Sequence, residues 1–312
     1  MMNHGYTSIM LLAVLWAPSF AFMKTAGADF GPMTITASRI SLAALLLLLV
    51  CYQRQQLPKA SKTTWGHASI MGFFSAGLPF SLFAYVSTQI PTMWGAIFTG
   101  SVPLLTAILG HFFLSDEQMN RWKVMGIVCG FLGILTLAVP TVMDKDIGSD
   151  TYALLACLLG ACCYAIGMVY GKKYFNVSGI TGPCMQLSTV ALWSVPCALI
   201  AEQPWNNTLS GPLPLLSLLA LGIFSTACAF VVYFSINRNY GASFLGMVGY
   251  PLPILGTFIG VIFLNEPLTL SFCLSMVLVI MGMALMGKKP KFKVVESNLP
   301  PAANDDNASK VA

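Results

Sequence analysis

The chain has 312 residues, of which 56% are hydrophobic and 9% charged, with a formal net charge of +5. Soluble domains carry about 25% charged residues, so this composition excludes a water-soluble globular protein. The mean hydropathy of +0.76 points instead to an integral membrane protein.

A membrane-crossing helix needs about 20 predominantly apolar residues. Ten such stretches follow one another, at roughly 6–26, 32–52, 66–88, 93–114, 122–141, 150–171, 180–201, 213–236, 242–264 and 267–287. The fold class expected is therefore all-α and membrane-spanning, with ten helices. The first stretch lacks the basic flank and small-residue cleavage site of a signal peptide, so it reads as a retained span. Near its outer end lies Lys24, which at a helix end reads as an interfacial anchor or a coupling group.

Span 2 carries Arg39 about seven residues in, roughly 10 Å deep at ~1.5 Å per residue. An arginine there costs about 2.5–3.5 kcal/mol if it faces lipid. Either it snorkels to the headgroups or it faces protein and cavity, as an anchor for a carboxylate or phosphate or as a partner for backbone carbonyls freed at the kinks. Span 4 contains Pro103, and His111 near its inner end, where a lone histidine is structural or a proton-coupling group.

Span 5 has Gly126, Gly130 and Gly133 on a spacing that permits close helix approach, against span 10 or a second protomer. Span 7 has Gln186 near the position that corresponds to Arg39. Span 9 contains "MVGYPLPILG" at 247–256, with Pro251 and Pro253. Each proline removes an N–H and displaces a carbonyl, and in lipid that carbonyl must find protein, water or solute. Glu117 in "SDEQ" and Glu266 in "NEPLT" each precede a span, where a carboxylate meets the positive helix end and caps it.

The nine cysteines lie within or at the ends of apolar spans without metal-ligand spacing and read as small packing residues. No metal, cofactor or catalytic constellation is expected, and no nucleic-acid partner. The 25 residues from Lys288 to Ala312 have the polar, proline-bearing composition of a disordered tail.

With an even number of spans both termini share one side. Placing them in the cytoplasm puts there every basic residue except Lys24, Arg39 and Lys145, out of 16 in all; this satisfies the positive-inside rule.

The halves also echo each other. "LWAPSFAFMK" (15–24) lies over "CYAIGMVYGK" (163–172). The stretch 85–117 lies over 233–266, each closing on a glutamate that precedes Gly133 or Gly282. A five-span unit reverses direction when repeated, so residues 1–141 and 150–287 are expected to form two inverted five-helix repeats, an architecture of secondary transporters. Prolines recurring in the corresponding helices 4 and 9 then favour a role for Pro103, Pro251 and Pro253 as hinges at a cavity.

These features together resemble the ten-helix EamA-type members of the drug/metabolite transporter superfamily. The resemblance rests on the aromatics of helices 1 and 6, Arg39, the Pro103/Gly110 stretch and the pairs Glu117/Gly133 and Glu266/Gly282. Trp16 is followed by Ala17 where the family often has glycine. Ser275 stands where a glycine is common.

The resemblance implies a non-enzymatic carrier in the inner (plasma) membrane. It would export or exchange small metabolites such as amino acids by alternating access, through a cavity between helices 1, 3, 4, 6, 8 and 9. Uptake of nucleotide-like or other anionic solutes is the alternative, and a non-transporting scaffold a more distant one. Substrate contacts are then sought at Trp16, Ser19, Arg39, Tyr85, Thr99, Tyr164, Gln186, Tyr233 and Tyr250. The partners expected are a small-molecule substrate and the lipid bilayer, with the chain a monomer or homodimer.

Overall fold

The computed structural model describes residues 2–115, 118–143, 149–175, 177, 179–240 and 242–286; Glu117, Lys145 and the expected tail lie outside them. The elements among these residues are helical. In order they are α1 (Met2–Trp16), α2 (Ser19–Ala26), α3 (Pro32–Gln53), α4 (Lys62–Gly72), α5 (Leu78–Gln89), α6 (Thr92–Gly100), α7 (Val102–Phe113) and α8 (Arg121–Met143). They continue as α9 (Ser149–Tyr174), α10 (Thr181–Glu202), α11 (Pro212–Gly222), α12 (Ala229–Tyr240), α13 (Ala242–Leu245), α14 (Pro251–Leu264) and α15 (Leu270–Met286). Wide π-helical segments at Phe73–Gly77 and Ile223–Cys228 join α4 to α5 and α11 to α12.

Several consecutive helices join into longer rods, and nine stretches among the described residues are long and apolar enough to cross a membrane. The stretch expected at 267–287 is shorter: α15 has 17 residues, about 25 Å at ~1.5 Å per residue. Proline opens α3 and α11 at the first helical turn, where its missing N–H has no helical partner to lose. Left-handed residues end two others, Gln203 (φ 45°) after α10 and Asn265 (φ 53°) after α14, which is how a helix terminates in a tight reversal.

The prolines act differently from the kinks expected of them. The fourth rod is interrupted at Ser101, and Pro103 opens α7; the ninth is interrupted by a 3₁₀ turn at Gly246–Gly249, and Pro251 opens α14. Each proline thus sits at a helix start rather than mid-helix. The two interruptions face each other: a Cβ on Gly100 would lie 2.6 Å from Pro253, and one on Gly249 would lie 3.1 Å from both the Gly100 carbonyl and Pro103. A third interruption, at Ala17–Pro18, separates α1 from α2.

The glycine spacing of span 5 packs α8 against α15. A Cβ on Gly126 would meet the Gly282 carbonyl at 2.4 Å, and one on Gly282 would meet the Gly126 carbonyl at 2.6 Å and the Gly130 nitrogen at 2.8 Å. Backbone-to-backbone approach of this kind substitutes for a hydrophobic driving force that lipid does not supply. Since the opposing atoms are backbone and cannot rotate away, Gly282→Val should destabilise the protein by about 1–3 kcal/mol, the usual range for overpacking. Thermal unfolding of the detergent-purified variant checks this, and an unchanged midpoint would mean that the seam is looser than described.

Candidate functional site

The interrupted helices surround a central cavity with ≈ 80 Å³ open to the centre of a water molecule, ≈ 880 Å³ when all the space between its atoms and the solvent at its mouth is counted. Its walls come from α1–α3, the π segment at 73–77, α5, the 99–103 interruption, α9, α10, α12 and the 246–252 interruption. Tyr164 stands at its centre of packing, touching all three apolar clusters of the interior.

Arg39 lines this cavity and is 2% exposed, so it does not snorkel. Its Nε donates to Thr226 Oγ1 at 3.0 Å, Nη2 to the Ser225 carbonyl at 3.5 Å and Nη1 to Met23 Sδ at 3.6 Å. The guanidinium carbon lies 3.8 Å from the Phe80 ring centre, a cation–π arrangement. Ser225 and Thr226 belong to the π segment Ile223–Cys228; a π turn shifts the helical hydrogen-bond register and frees backbone acceptors. Ser225 Oγ in turn donates to the Leu15 carbonyl at 2.7 Å, beside the Ala17–Pro18 interruption.

Gln186 makes the converse contact. It is fully buried, and Nε2 donates to Ser75 Oγ at 2.5 Å; Ser75 lies in the other π segment, Phe73–Gly77, and its hydroxyl donates to the Met71 carbonyl at 2.6 Å. With its amide nitrogen so engaged, Gln186 Oε1 has no hydrogen-bond partner in the protein, and neither do Ser19 Oγ and Thr99 Oγ1. All three residues line the cavity. Buried polar atoms are almost always satisfied; of the eight side-chain atoms left without a partner among the described residues, three meet in this cavity, where a solute or water can complete the bonding.

Between these polar points runs a belt of rings. Phe20 meets Phe83 edge-on at 5.6 Å, Phe83 stacks on Tyr164 at 5.7 Å, Tyr164 meets Phe80 at 6.4 Å, and Phe80 meets Phe230 at 6.2 Å. Phe230 continues to Tyr233 at 5.9 Å, and Tyr233 to Trp16 at 5.9 Å. Ring separations of about 4.5–7 Å are those of favourable aromatic pairs.

Of the residues singled out from the sequence, the fold brings Trp16, Ser19, Arg39, Thr99, Pro103, Tyr164, Gln186 and Tyr233 to this cavity. It leaves others elsewhere. Tyr250 directs its hydroxyl to the Met283 carbonyl of α15, Tyr85 packs in the second apolar cluster, and Pro251 and Pro253 stand behind the wall beside Leu252. His111 is exposed and accepts from the Met119 N–H at 3.3 Å. Phe20, Met23, Phe80, Phe83, Phe230 and Ser75 line the cavity without any mark in the sequence beyond their apolar or small character. The Pro18 interruption was legible in "WAPSF", where a proline falls inside an apolar run.

Glu266 differs from its expected role. α15 begins at Leu270, and Glu266 instead caps α6: its carboxylate accepts from the Thr92 N–H (2.7 Å), the Met93 N–H (3.2 Å) and Thr92 Oγ1 (3.1 Å). It also pairs with Lys24 Nζ at 2.9 Å, so Lys24 is an ion-pair partner rather than a free anchor. One carboxylate thus ties α2, α6 and the α14–α15 turn together. Glu202 does likewise for α3, accepting from the N–H groups of Met33 (2.8 Å) and Thr34 (2.7 Å).

The glutamate side chain is 3% exposed and that of the lysine 38%, which makes the pair unequal. Losing the carboxylate strands helix N–H donors inside the protein, whereas losing the lysine strands little, because water replaces it. Glu266→Gln should therefore lower the unfolding temperature more than Lys24→Gln, by at least the ~1–2 kcal/mol that a partly buried charge at a helix end contributes. Equal effects of the two variants on the melting curve would contradict this asymmetry.

Comparison with known proteins gives a consistent picture. A family model described as the EamA-like transporter family matches residues 3–139 and again 151–288. The uncharacterized transporter YoaV of Bacillus subtilis is 23% identical over 279 residues, covering 88% of this chain and 93% of its own length. The uncharacterized transporter YvbV of the same bacterium is 25% identical, covering 91% and 92%. Protein PecM of Dickeya dadantii is 21% identical, covering 73% and 78%. A solved crystal structure shares the fold with a TM-score of 0.65 at 20% identity, over 90% of this chain and 94% of that one. The chain is a multi-pass membrane protein that belongs to the EamA-like transporter family.

Proposed function

We propose that this protein is a secondary transporter that exports or exchanges small organic metabolites, amino acids and related compounds among them, by alternating access through the central cavity. The observation that carries this reading is the opposition of two interrupted rods, α6–α7 and α13–α14, at a cavity with unsatisfied buried polar atoms. Discontinuous helices at a central site are the working parts of many carriers.

The same reading makes the chain two inverted five-helix repeats with ten crossings, both termini cytoplasmic, in the inner membrane. Support comes from the exchanged contacts of the halves: Arg39 on α3 bonds the π segment after α11, and Gln186 on α10 bonds the π segment after α4. No acidic side chain lines the cavity among the described residues. That favours exchange or facilitated movement over a proton step within the cavity, since intramembrane proton relays use Asp, Glu or His.

Rocking of one half against the other must bend the chain at the interruptions. Pro103→Ala and Pro251→Ala remove the ring that fixes φ at each interruption, and should slow counterflow of a radiolabelled mixture of amino acids and organic acids in proteoliposomes about tenfold, equivalent to ~1.4 kcal/mol in the barrier. Folded yield should be little changed. Parental rates in both would remove the hinge assignment, and absence of counterflow in the parental protein with any small metabolite would remove the transport reading. Independently, a cysteine at Trp205, which is 65% exposed, should react with an impermeant maleimide from outside the cell in an otherwise cysteine-free protein. Reaction from the cytoplasmic side alone would reverse the orientation.

A further inference from the structure

We propose that the cavity recognises an aromatic monocarboxylate bearing a neutral hydrogen-bond donor, because Arg39 is the one charged side chain in its wall and has no carboxylate partner among the described residues. This deepens the transport reading above and rests on it for the solute's passage, though binding can be measured apart from movement.

The guanidinium has five N–H donors. Of its contacts through the terminal nitrogens, the one to a carbonyl is long at 3.5 Å, and the other, at 3.6 Å, is to a thioether sulfur, a weak acceptor. A charge at 2% exposure is normally paired, and Lys24–Glu266 is the ion pair found among the described residues. Donor capacity and charge are therefore both left over at Arg39. A carboxylate satisfies both at once through a two-pronged contact.

One cation matches one negative charge, so a doubly charged phosphate ester would bring a charge with no partner. An ammonium is disfavoured for the opposite reason: no carboxylate lines the cavity, and Arg39 repels it. The remaining wall contacts specify the rest of the solute. The rings from Phe20 to Trp16 suit a planar apolar body. Gln186 Oε1 is an orphan acceptor in the wall, and the hydroxyl oxygens of Ser19 and Thr99 beside the same cavity can accept as well. These acceptors ask for a donor on the solute. They would also accept from an ammonium, but only by placing a second full positive charge beside Arg39, so a hydroxyl is the better match.

The test compares three solutes on one skeleton, 3-phenyllactate, phenylalanine and 2-phenylethylamine, by isothermal titration into the detergent-purified full chain at pH 7. Phenyllactate should bind at least about tenfold more tightly than phenylalanine, a difference of ~1.4 kcal/mol, and phenylethylamine should not displace it. Arg39→Gln should erase the preference, while Arg39→Lys keeps the order of the three with weaker binding, because charge survives and the fork does not.

If Arg39→Gln fails to fold, Gln186→Leu carries the test. It should remove most of the advantage of phenyllactate over 3-phenylpropanoate, which lacks the hydroxyl. Phenylalanine binding as tightly as phenyllactate, or no phenyllactate binding at all, would overturn the proposal. Binding with the expected order but no counterflow would instead contradict the transport reading and leave the charge assignment standing.

Discussion

The position of the Arg39 guanidinium constrains much of the interior, because a buried cation without a carboxylate needs several polar partners, and regular helices have no backbone groups to spare. The π segment Ile223–Cys228 supplies them: Thr226 Oγ1 and the Ser225 carbonyl hold the guanidinium. The same segment reaches back through Ser225 Oγ to the Leu15 carbonyl, next to the interruption of the first rod. The irregular backbone, the charge and the cavity are thus one arrangement. Removing the arginine would leave a widened helix turn with unsatisfied groups in an apolar medium.

Around this centre the helices are fixed by two kinds of contact. At the periphery, α8 and α15 interlock through Gly126, Gly130 and Gly282 with backbone against backbone. At one end of the bundle, Glu266 and Glu202 place carboxylates on the first turns of α6 and α3, joining elements far apart in sequence. At the cavity wall, the 99–103 and 246–252 interruptions approach each other through Gly100, Gly249 and Pro103, with Pro253 packed behind against Gly100.

The membrane class and the apolar spans were legible in the sequence, since both follow from composition and hydropathy over windows of about 20 residues. Arg39 and Gln186 stood out for a related reason: a polar group deep in an apolar run has few places to go. The π segments left no trace, because they depend on how α4 and α11 meet their neighbours rather than on a local residue pattern. Glu266 was misplaced because its proximity to a following helix suggested a local cap, whereas the partner that satisfies it, the α6 N-terminus, is some 170 residues away in the chain. Tyr85 and Tyr250 show the limit of reasoning by residue type, for a tyrosine on the right helix faces the cavity only if its register agrees.

The most direct test of the account is a cryo-electron microscopy structure of the protein in a lipid nanodisc with 3-(4-bromophenyl)lactate bound. The account predicts the carboxylate within hydrogen-bond distance of the Arg39 guanidinium, and the brominated ring among Phe80, Phe83 and Tyr164. A carboxylate bound elsewhere in the cavity, or an Arg39 side chain extended toward the headgroups with the ligand absent from its surroundings, would contradict it.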